Sequence, residues 1–329
     1  MQSVLDILGK TTGYFEKAGV PQARLDAEHL LAHVLGCKRL GLYLQFERPL
    51  TEGELGALRP LVRRRARREP LQHILGTVDF HGLTLRCDAR ALVPRPETEW
   101  LAERVAERLK DRPPARIADL GTGTGALALA LATAFPEAGG GAGGPPPPPP
   151  APPPPKHPPP PAGRAERARA RGGRPGARPT PSPHGGGAGG PPSPDALALA
   201  RENAAALGLA ERVCFHGGDW FAPLAGRRYD CIVANPPYLS EADWEAAEPE
   251  VARFDPKGAL VAPDNGTADL VRILRDAPAH LNPGGLLALE TNDAQHASLA
   301  EYTKAPAYAS AAGESDYAKR ERYLFLTVS

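Results

Sequence analysis

The first seventy residues carry apolar side chains at helical spacing. Apolar residues recur every three or four positions through residues 3–18 and again through residues 22–35, which predicts two amphipathic helices. A third helix is predicted after Thr51, because Glu54 lies three residues later and completes a capping box. These patterns predict a small helical domain over residues 1–70.

From residue 71 the pattern changes to strands, and then to strands that alternate with helices. Residues 71–93 alternate apolar and polar positions, so we expect a β-hairpin within a linker over residues 71–95. A second domain over residues 96–329 is predicted to contain a helix at 97–110, a strand at 115–120, helices at 126–134 and 195–208, strands at 212–216 and 229–234, a helix at 267–280, a turn at 282–285, a strand at 285–290 and two strand-like runs in 308–328. Such alternation predicts an α/β fold with a mostly parallel, Rossmann-like sheet and helices on both faces.

One segment, residues 139–194, differs in composition from the rest of the chain. Its 56 residues include 21 Pro and 14 Gly, and no Val, Ile, Leu, Met, Phe, Tyr, Trp or Cys. Because it has no large apolar side chains to bury, we expect a disordered low-complexity segment that interrupts the second domain. The prolines of residues 145–161 favour a polyproline II coil.

Charge and cysteine content exclude several classes of protein. The chain has a net charge of +1, and the segment 139–194 alone carries +6, which leaves −5 for the remainder. The charge therefore gives no indication of nucleic-acid binding. The sequence also shows no long apolar run and no signal-peptide pattern, so we expect a soluble, cytoplasmic protein. The four cysteines are Cys37, Cys87, Cys214 and Cys231, and they form no CxxC pair. We therefore expect them to be small buried apolar residues and not ligands of a metal site.

A glycine-rich turn follows the strand at 115–120 and opens the next helix. It reads Asp119-Leu-Gly121-Thr122-Gly123-Thr124-Gly125, and its glycines allow a ligand to approach the backbone at the start of the helix. The same spacing formally satisfies a dinucleotide fingerprint, and a purely structural turn is also compatible with it. Asp119 favours S-adenosylmethionine, because a carboxylate here can lie near the ammonium group of the methionine part.

The most informative stretch is Asn235-Pro236-Pro237-Tyr238, which ends the strand at 229–234. The two prolines offer no backbone N–H and form a stiff corner. The side-chain oxygen of Asn235 and the carbonyl of Pro236 then provide two acceptors for one planar NH2 group. The corner therefore predicts a site that grips a primary amide or an exocyclic amine beside a methyl donor, whereas the structural alternative is a strand that ends in a proline turn.

Together these motifs resemble the protein-(glutamine N5) methyltransferases of the HemK or PrmC type, which modify peptide chain release factors. The resemblance covers nearly the whole chain outside 139–194. Its matching stretches are Arg68 to Gly76, Leu92 to Glu99 (which includes Pro-Arg-Pro-Glu-Thr-Glu), Asp119 to Gly125, Asp219-Trp220, Asn235 to Tyr238, Asp255-Pro256 with Ala259-Leu260, and Pro283 to Gly285 with Glu290.

The resemblance implies a class I methyltransferase fold behind a helical domain that helps to dock a release factor. The implied substrate is the glutamine of the Gly-Gly-Gln loop, and the implied methyl donor is S-adenosylmethionine. The protein is expected to be a monomeric enzyme with no nucleic-acid substrate. By the same resemblance, Phe80, Pro94 and Arg95 line the substrate approach together with Asn235 to Tyr238, which are the expected catalytic residues. The cofactor is expected to contact Asp119, Gly121 to Gly125, Asp219, Trp220 and Asn235.

The family pattern breaks inside the segment 139–194. Members of the family carry there an apolar second strand whose acid, two residues before Ser193, binds the cofactor ribose; this chain has Pro191 at that position. Glu166 is the only acid in the segment. We therefore expect the second strand and the ribose-binding carboxylate to be missing. Both a genuine insertion and a shifted reading frame produce such a composition.

Two other functions remain open from the residues. An Asn-Pro-Pro-Tyr corner also suits the amino group of adenine or guanine, which would make the protein a nucleic-acid methyltransferase. The missing strand would instead leave a protein that keeps the fold but binds the cofactor poorly or not at all.

Other residues have less specific interpretations. The arginine-rich run 63–68 is expected to be a solvated helix face, with docking of an acidic partner as the alternative. His73 and His81 are expected in packing or surface positions. Glu290 is predicted to end a strand. The sequence is equally compatible with a role in the site and with a structural hydrogen bond.

Overall fold

The computed structural model describes residues 2–142 and 193–329. Five helices form its first part, and they pack around a separate apolar core that includes Leu8, Phe15 and Leu30. Their bounds are α1 Val4–Lys17, α2 Ala23–Val34, α3 Arg39–Tyr43, α4 Glu52–Ala66 and α5 Leu71–Leu75. The predicted capping box is present, because the Thr51 hydroxyl accepts from the Glu54 N–H while the Glu54 carboxylate accepts from the Thr51 N–H.

The predicted hairpin is present, but it begins later than expected. Strands β1 (Thr77–Phe80) and β2 (Leu83–Arg86) pair antiparallel. The residues before them form α5, so the interpretation of residues 71–76 as part of the hairpin is wrong. Pro70 enters this helix at a φ of −52° and Gly76 leaves it at a φ of +76°, which limits the helix to little more than one turn.

A seven-stranded sheet forms the second part and has the predicted α/β, mostly parallel, Rossmann-like architecture. Its strands are β3 Arg116–Leu120, β4 Gly139–Ala142, β5 Cys214–Phe215, β6 Tyr229–Ala234, β7 Leu281–Glu290, β8 Tyr308–Ser315 and β9 Glu321–Val328. Their order is β5-β4-β3-β6-β7-β9-β8. The first five strands in this order are parallel to one another, and β9 pairs antiparallel with both β7 and β8.

Helices cover both faces of this sheet. They are α6 Pro96–Leu109, α7 Ala126–Ala134, α8 Pro194–Ala206, α9 Glu241–Glu245, α10 Pro249–Phe254, α11 Pro263–Gly266, α12 Ala268–His280 and α13 His296–Thr303. Alternate residues of β6 enter different cores: Cys231 and Val233 lie in one apolar cluster, and Ile232 and Ala234 lie in the other. Residues 231–234 of this strand are therefore buried on both faces, which explains why they are all apolar.

The expectation that the second strand is missing is wrong. Gly139–Ala142 forms β4 and pairs in parallel with β3 on one side and β5 on the other. A parallel ladder needs only backbone N–H and C=O groups, so a Gly-Gly-Gly-Ala sequence can occupy a place held by two neighbouring strands. Pro191, and the rest of the predicted disordered segment from residue 143 to residue 192, lie outside the described residues.

The predicted turn at 282–285 is absorbed into β7. The pairing of this strand with β6 jumps from Leu281 to Leu286 while β6 advances only from Tyr229 to Cys231. The residues between them therefore bulge out of the ladder. This bulge reconciles the turn-like sequence with a strand that begins at Leu281.

The arginine-rich run 63–68 is not simply a solvated helix face, and this prediction is wrong for Arg65 and Arg68. Arg65 is 5 % exposed and pairs with Asp26 of α2 at 2.7 Å and with Glu250 of α10 at 2.8 Å. Arg68 also pairs with Glu250, at 2.6 Å. Asp26 and Glu250 thus neutralise these two arginines within the chain. The pairs with Glu250 join the helical part to the segment that follows the Asn-Pro-Pro-Tyr corner.

Two of the cysteines and His73 are buried packing residues. Cys87 and Cys231 are fully buried, and burial raises the pKa of the Cys87 thiol to about 12. His73 is buried, which lowers its pKa, and His81 lies in the hairpin turn at a φ of +48°. Within residues 2–142 and 193–329, no helix has both the length and the apolar character needed to cross a membrane.

Candidate active site

A cavity of about 930 Å³ opens at the carboxyl ends of β3 and β6. This edge is where parallel α/β sheets bind their ligands, because the loops that follow the strands converge there. Predicted site residues that line it are Pro94, Arg95, Asp119, Gly121, Thr122, Gly123, Thr124, Trp220, Asn235 and Pro237. The fold therefore brings the glycine-rich turn and the Asn-Pro-Pro corner into one space.

The glycine-rich turn exposes its backbone to this cavity. Gly121, Gly123 and Gly125 all have a positive φ, between +53° and +87°. A Cβ at Gly121 would lie 3.6 Å from the ring of Trp220, so glycine keeps the space between the turn and the indole open. Gly125 lies behind the turn rather than at the cavity, where its added Cβ would meet Leu129 at 3.1 Å. This last glycine serves helix packing more than ligand contact.

Asp119 is a buried carboxylate at the end of β3. It is 6 % exposed, and its Oδ2 accepts from the Thr122 hydroxyl at 2.7 Å and from the Ala128 N–H at 3.2 Å. Burial raises its pKa to about 6, against the opposing effect of these two donors. A cationic group in the cavity would favour the ionised form of this carboxyl, so the site is suited to an ammonium ligand.

Asp219 and Trp220 separate in the structure although they are adjacent in the chain. The Asp219 carboxylate is half exposed and pairs with Arg272 at 2.6 Å, and Asp219 is not among the cavity-lining residues. Trp220 lines the cavity, and its indole N–H donates to Asp269 at 3.2 Å. The ring is therefore fixed as a flat wall, whereas the structure does not bring the Asp219 side chain to the site.

Asn235 lies at one end of a chain of hydrogen bonds between distant segments. Its Nδ2 donates to the Thr98 hydroxyl at 2.8 Å, and that hydroxyl donates to Glu290 Oε2 at 2.7 Å. The other oxygen of Glu290 accepts from the Tyr238 hydroxyl at 2.9 Å. Glu290 is 1 % exposed, and burial raises its pKa. The sequence left the role of Glu290 open, and the structure gives it two hydrogen bonds behind the Asn-Pro-Pro-Tyr corner.

The other residues of the corner face different ways. Pro237 lines the cavity, whereas Pro236 and Tyr238 are not among its lining residues. The Tyr238 hydroxyl is engaged by Glu290, and its carbonyl accepts from the Gln295 side chain at 2.8 Å. A Cβ at Gly266 would lie 2.1 Å from that same carbonyl, so only glycine permits this close approach. The tyrosine side chain thus supports the corner from behind.

The predicted substrate-approach residues divide in the same manner. Pro94 and Arg95 line the cavity, and Arg95 is held by Asp255, whose side chain is fully buried. Phe80 is 1 % exposed and lies in the main core against the sheet. The structure therefore does not bring Phe80 to the cavity.

Several cavity residues were not found by reasoning from the sequence. Thr98 stands inside the Pro-Arg-Pro-Glu-Thr-Glu stretch, which provided a signal that the residue belongs near the site. The remaining polar or charged lining residues had no such signal; they are Arg90, Ser193, His216, Glu241 and Lys257. Glu241 and Lys257 pair with each other at 2.7 Å on the side of the cavity next to the Asn-Pro-Pro-Tyr corner.

Comparison with known proteins identifies the family. A family profile described as PrmC N-terminal domain matches residues 6–76. The release factor glutamine methyltransferase of Chlorobaculum tepidum is 35 % identical over 98 % of this chain and 96 % of the relative. That of Deinococcus radiodurans is 36 % identical over 97 % of this chain and 96 % of the relative.

The chain belongs to the release factor glutamine methyltransferase family.

Membership makes this protein a methyltransferase and confirms the family resemblance drawn from its motifs. A third relative, from Geobacter sulfurreducens, is 36 % identical over 88 % of this chain and 84 % of its own length. The fold also matches the crystal structure of the hMettl16 catalytic domain in complex with MAT2A 3'UTR hairpin 6, with a TM-score of 0.50 and 15 % identity over 82 % of this chain and 81 % of that one. At this identity the likeness concerns the class I methyltransferase fold alone.

Proposed function

We propose that this protein transfers a methyl group from S-adenosylmethionine to the side-chain amide nitrogen of the glutamine in the Gly-Gly-Gln loop of peptide chain release factors. The observation that carries the proposal is the common cavity of the glycine-rich turn and Asn235. One side of this cavity has the features of a nucleotide-type site, and the other offers an amide acceptor. The names of the curated relatives support the same substrate.

The residues present fit the proposed cofactor. The cavity volume of about 930 Å³ lies in the upper part of the usual range for ligand sites, which leaves room for a nucleoside and an incoming side chain. In the proposal, Asp119 accepts from the ammonium group, Gly121 to Thr124 contact the methionine part, and Trp220 lies against the adenine. S-adenosylmethionine supplies an electrophilic methyl group on its sulfonium centre.

The proposed catalysis is mainly positioning. An amide nitrogen is a weak nucleophile because its lone pair is delocalised into the carbonyl. The Asn235 side-chain oxygen and the Pro236 carbonyl accept the two N–H groups of the substrate amide and orient its nitrogen toward the methyl group. Fixing two reactants in line can lower a barrier by several kcal/mol, and the same acceptors stabilise the positive charge that develops on nitrogen.

The proposed partner is the release factor itself, as a protein substrate. Residues 1–70 would help to dock it, residues 71–95 would link the two parts, and residues 96–329 would carry the chemistry. The mild negative charge outside 139–194 argues against a nucleic-acid substrate. We propose a monomer that acts in the cytoplasm, where release factors are used.

The test is methyl transfer with purified components. The protein is incubated with S-adenosylmethionine and a release factor, and the Gly-Gly-Gln peptide is analysed by mass spectrometry. We expect one added methyl group on the glutamine, and none on a release factor in which that glutamine is replaced by alanine.

Parallel reactions with RNA and DNA separate the proposal from a nucleic-acid amine methyltransferase. The proposed substrate would be refuted if the nucleic acid became methylated and the release factor did not. Titration calorimetry with the cofactor tests the other alternative, a non-catalytic binding protein that keeps the fold but does not bind the cofactor.

A further inference from the structure

Asn235 is useful to an amide substrate in only one of its two orientations. A glutamine NH2 group has donors and no acceptor, so it must meet the Oδ1 of Asn235 and not its Nδ2. The two ends of a carboxamide have nearly the same shape, and packing alone selects weakly between them. Hydrogen bonds from neighbouring groups must therefore decide which end faces the substrate.

The described hydrogen bonds fix this orientation by a count of protons. The hydroxyls of Thr98 and Tyr238 both donate to Glu290, across 2.7 Å and 2.9 Å, which is the pattern around an ionised carboxylate that can only accept. Thr98 has then used its single hydroxyl proton and can only accept from its other neighbour. That neighbour is Asn235, and the atom it presents must be Nδ2, at 2.8 Å.

The opposite end of the Asn235 amide remains available. Within residues 2–142 and 193–329, Oδ1 accepts no hydrogen bond, and Asn235 lines the cavity. Thr98 is 6 % exposed and Glu290 is 1 % exposed, so water does not readily replace either bond. The chain of hydrogen bonds therefore leads from a buried carboxylate to an acceptor oxygen at the site.

We propose that Thr98 and Glu290 are positioning residues, which hold the Asn235 carboxamide with Oδ1 toward the substrate and Nδ2 away from it. This inference rests on the proposed function, in which Asn235 accepts from the substrate amide. Glu290 acts through Thr98 and touches neither the substrate nor the cofactor. Its second oxygen ties the Tyr238 hydroxyl to the same buried carboxylate.

The test is a set of variants that change the hydrogen-bond logic and little else. Thr98→Val keeps the shape of the side chain and removes the hydroxyl, whereas Thr98→Ser keeps the hydroxyl. Glu290→Gln keeps the shape but adds an NH2 donor, which can direct the Thr98 proton toward Asn235 and so permit the wrong orientation. Each is measured for kcat, for KM of both substrates and for its thermal midpoint.

We expect Thr98→Val to lower kcat by about 10- to 100-fold, a range typical of a lost positioning contact. Its KM for S-adenosylmethionine should stay within about twofold, because the cofactor lies on the other side of the cavity. Thr98→Ser should recover most of the rate, and Glu290→Gln should fall between the two. Equal rates for Thr98→Val and Thr98→Ser would overturn the proposal.

A spectroscopic measurement tests the orientation without any turnover. The side-chain NH2 resonance of Asn235 is assigned by its disappearance in Asn235→Ala. We expect slow exchange of one Nδ2 proton in the original protein and in Thr98→Ser, and faster exchange in Thr98→Val. Equal exchange in all three would overturn the proposal. A protein that shows this protection but does not methylate a release factor would refute the proposed substrate alone.

Discussion

The two strands on either side of β3 both run parallel to it, and they are held in opposite ways. β6 is anchored by side chains: its alternate residues enter two cores, and the corner after it is tied to Thr98 and Glu290. β4 reads Gly-Gly-Gly-Ala and pairs with its neighbours over only two residues on each side. The position of β6 and of the corner after it is thus specified by side chains, and the position of β4 by the backbone ladder.

The difference shows that a sheet can keep its topology at a strand that has lost its sequence pattern. Neighbours on both sides offer hydrogen-bond partners, which is sufficient for a short parallel strand. The ladder cannot supply a side chain for ligand contact, however. The family acid expected two residues before Ser193 has no counterpart in β4, since residues 139–142 contain no acid.

The largest effect is expected from a substitution in the corner after β6, whose position is specified by side chains. Asn235→Ala removes the proposed acceptor for the substrate amide, and we expect methyl transfer to fall by about 100- to 1000-fold, as for loss of a preorganised transition-state contact. The matched control is Asn282→Ala, which removes a similar side-chain bond to Asp230, of 2.7 Å, at the opposite end of β6. Normal turnover by the Asn235 variant would show that its assigned role is wrong.

A second experiment repairs the backbone-specified end. Residues 143–192 are replaced by Asp-Leu, so that an acid lies between β4 and Ser193. A charged acceptor for two ribose hydroxyls is worth about 1.5–3 kcal/mol, so affinity for S-adenosylmethionine should rise about 10- to 100-fold.

An Asn-Leu replacement of the same length separates the charge from the removal of the segment, and calorimetry measures both. The Asn replacement is the control for removal of the segment. If the Asp replacement binds the cofactor no more tightly than the Asn replacement and the original chain, the cofactor site does not lack this acid.

A third experiment concerns β3, which lies between β4 and β6 in the sheet. Asp119 has a pKa raised to about 6 by burial, so below that pH its carboxyl is protonated in the free protein. Binding an ammonium group then requires loss of this proton, and affinity for S-adenosylmethionine should fall by up to about tenfold per pH unit below 6. Asp119→Asn should bind weakly with no such slope between pH 5 and about 7. Titration calorimetry across this window checks both, and parallel slopes would exclude Asp119 as the contact.

The smallest effect is expected within β4 itself. Gly140→Ala reduces the freedom of the unfolded chain at a strand position and should stabilise the protein by about 0.4–1 kcal/mol. Gly208 has a φ of +71° and open space around an added Cβ, so Gly208→Ala is a control that should destabilise it. Thermal unfolding measures both. A destabilised Gly140→Ala protein would argue that the glycine is required in this strand.

Local signals in the sequence determined much of the fold. The capping box at Thr51 and the helix that begins at Ala126 are both present where they were predicted. Such features depend on residues within one turn of each other, so their outcome is readable without the rest of the chain. The glycine-rich turn and the Asn-Pro-Pro-Tyr corner were found for the same reason.

Tertiary structure alone decided how these motifs act. The bond between Asn235 and Thr98 joins residues 137 positions apart, and that between Thr98 and Glu290 joins residues 192 apart. Neighbouring strands made β4 a strand although its sequence has no strand pattern, and Arg272 drew the Asp219 carboxylate away from the cavity. Sequence patterns reveal which groups are present, but burial and the count of donors and acceptors between distant segments determine where each one points.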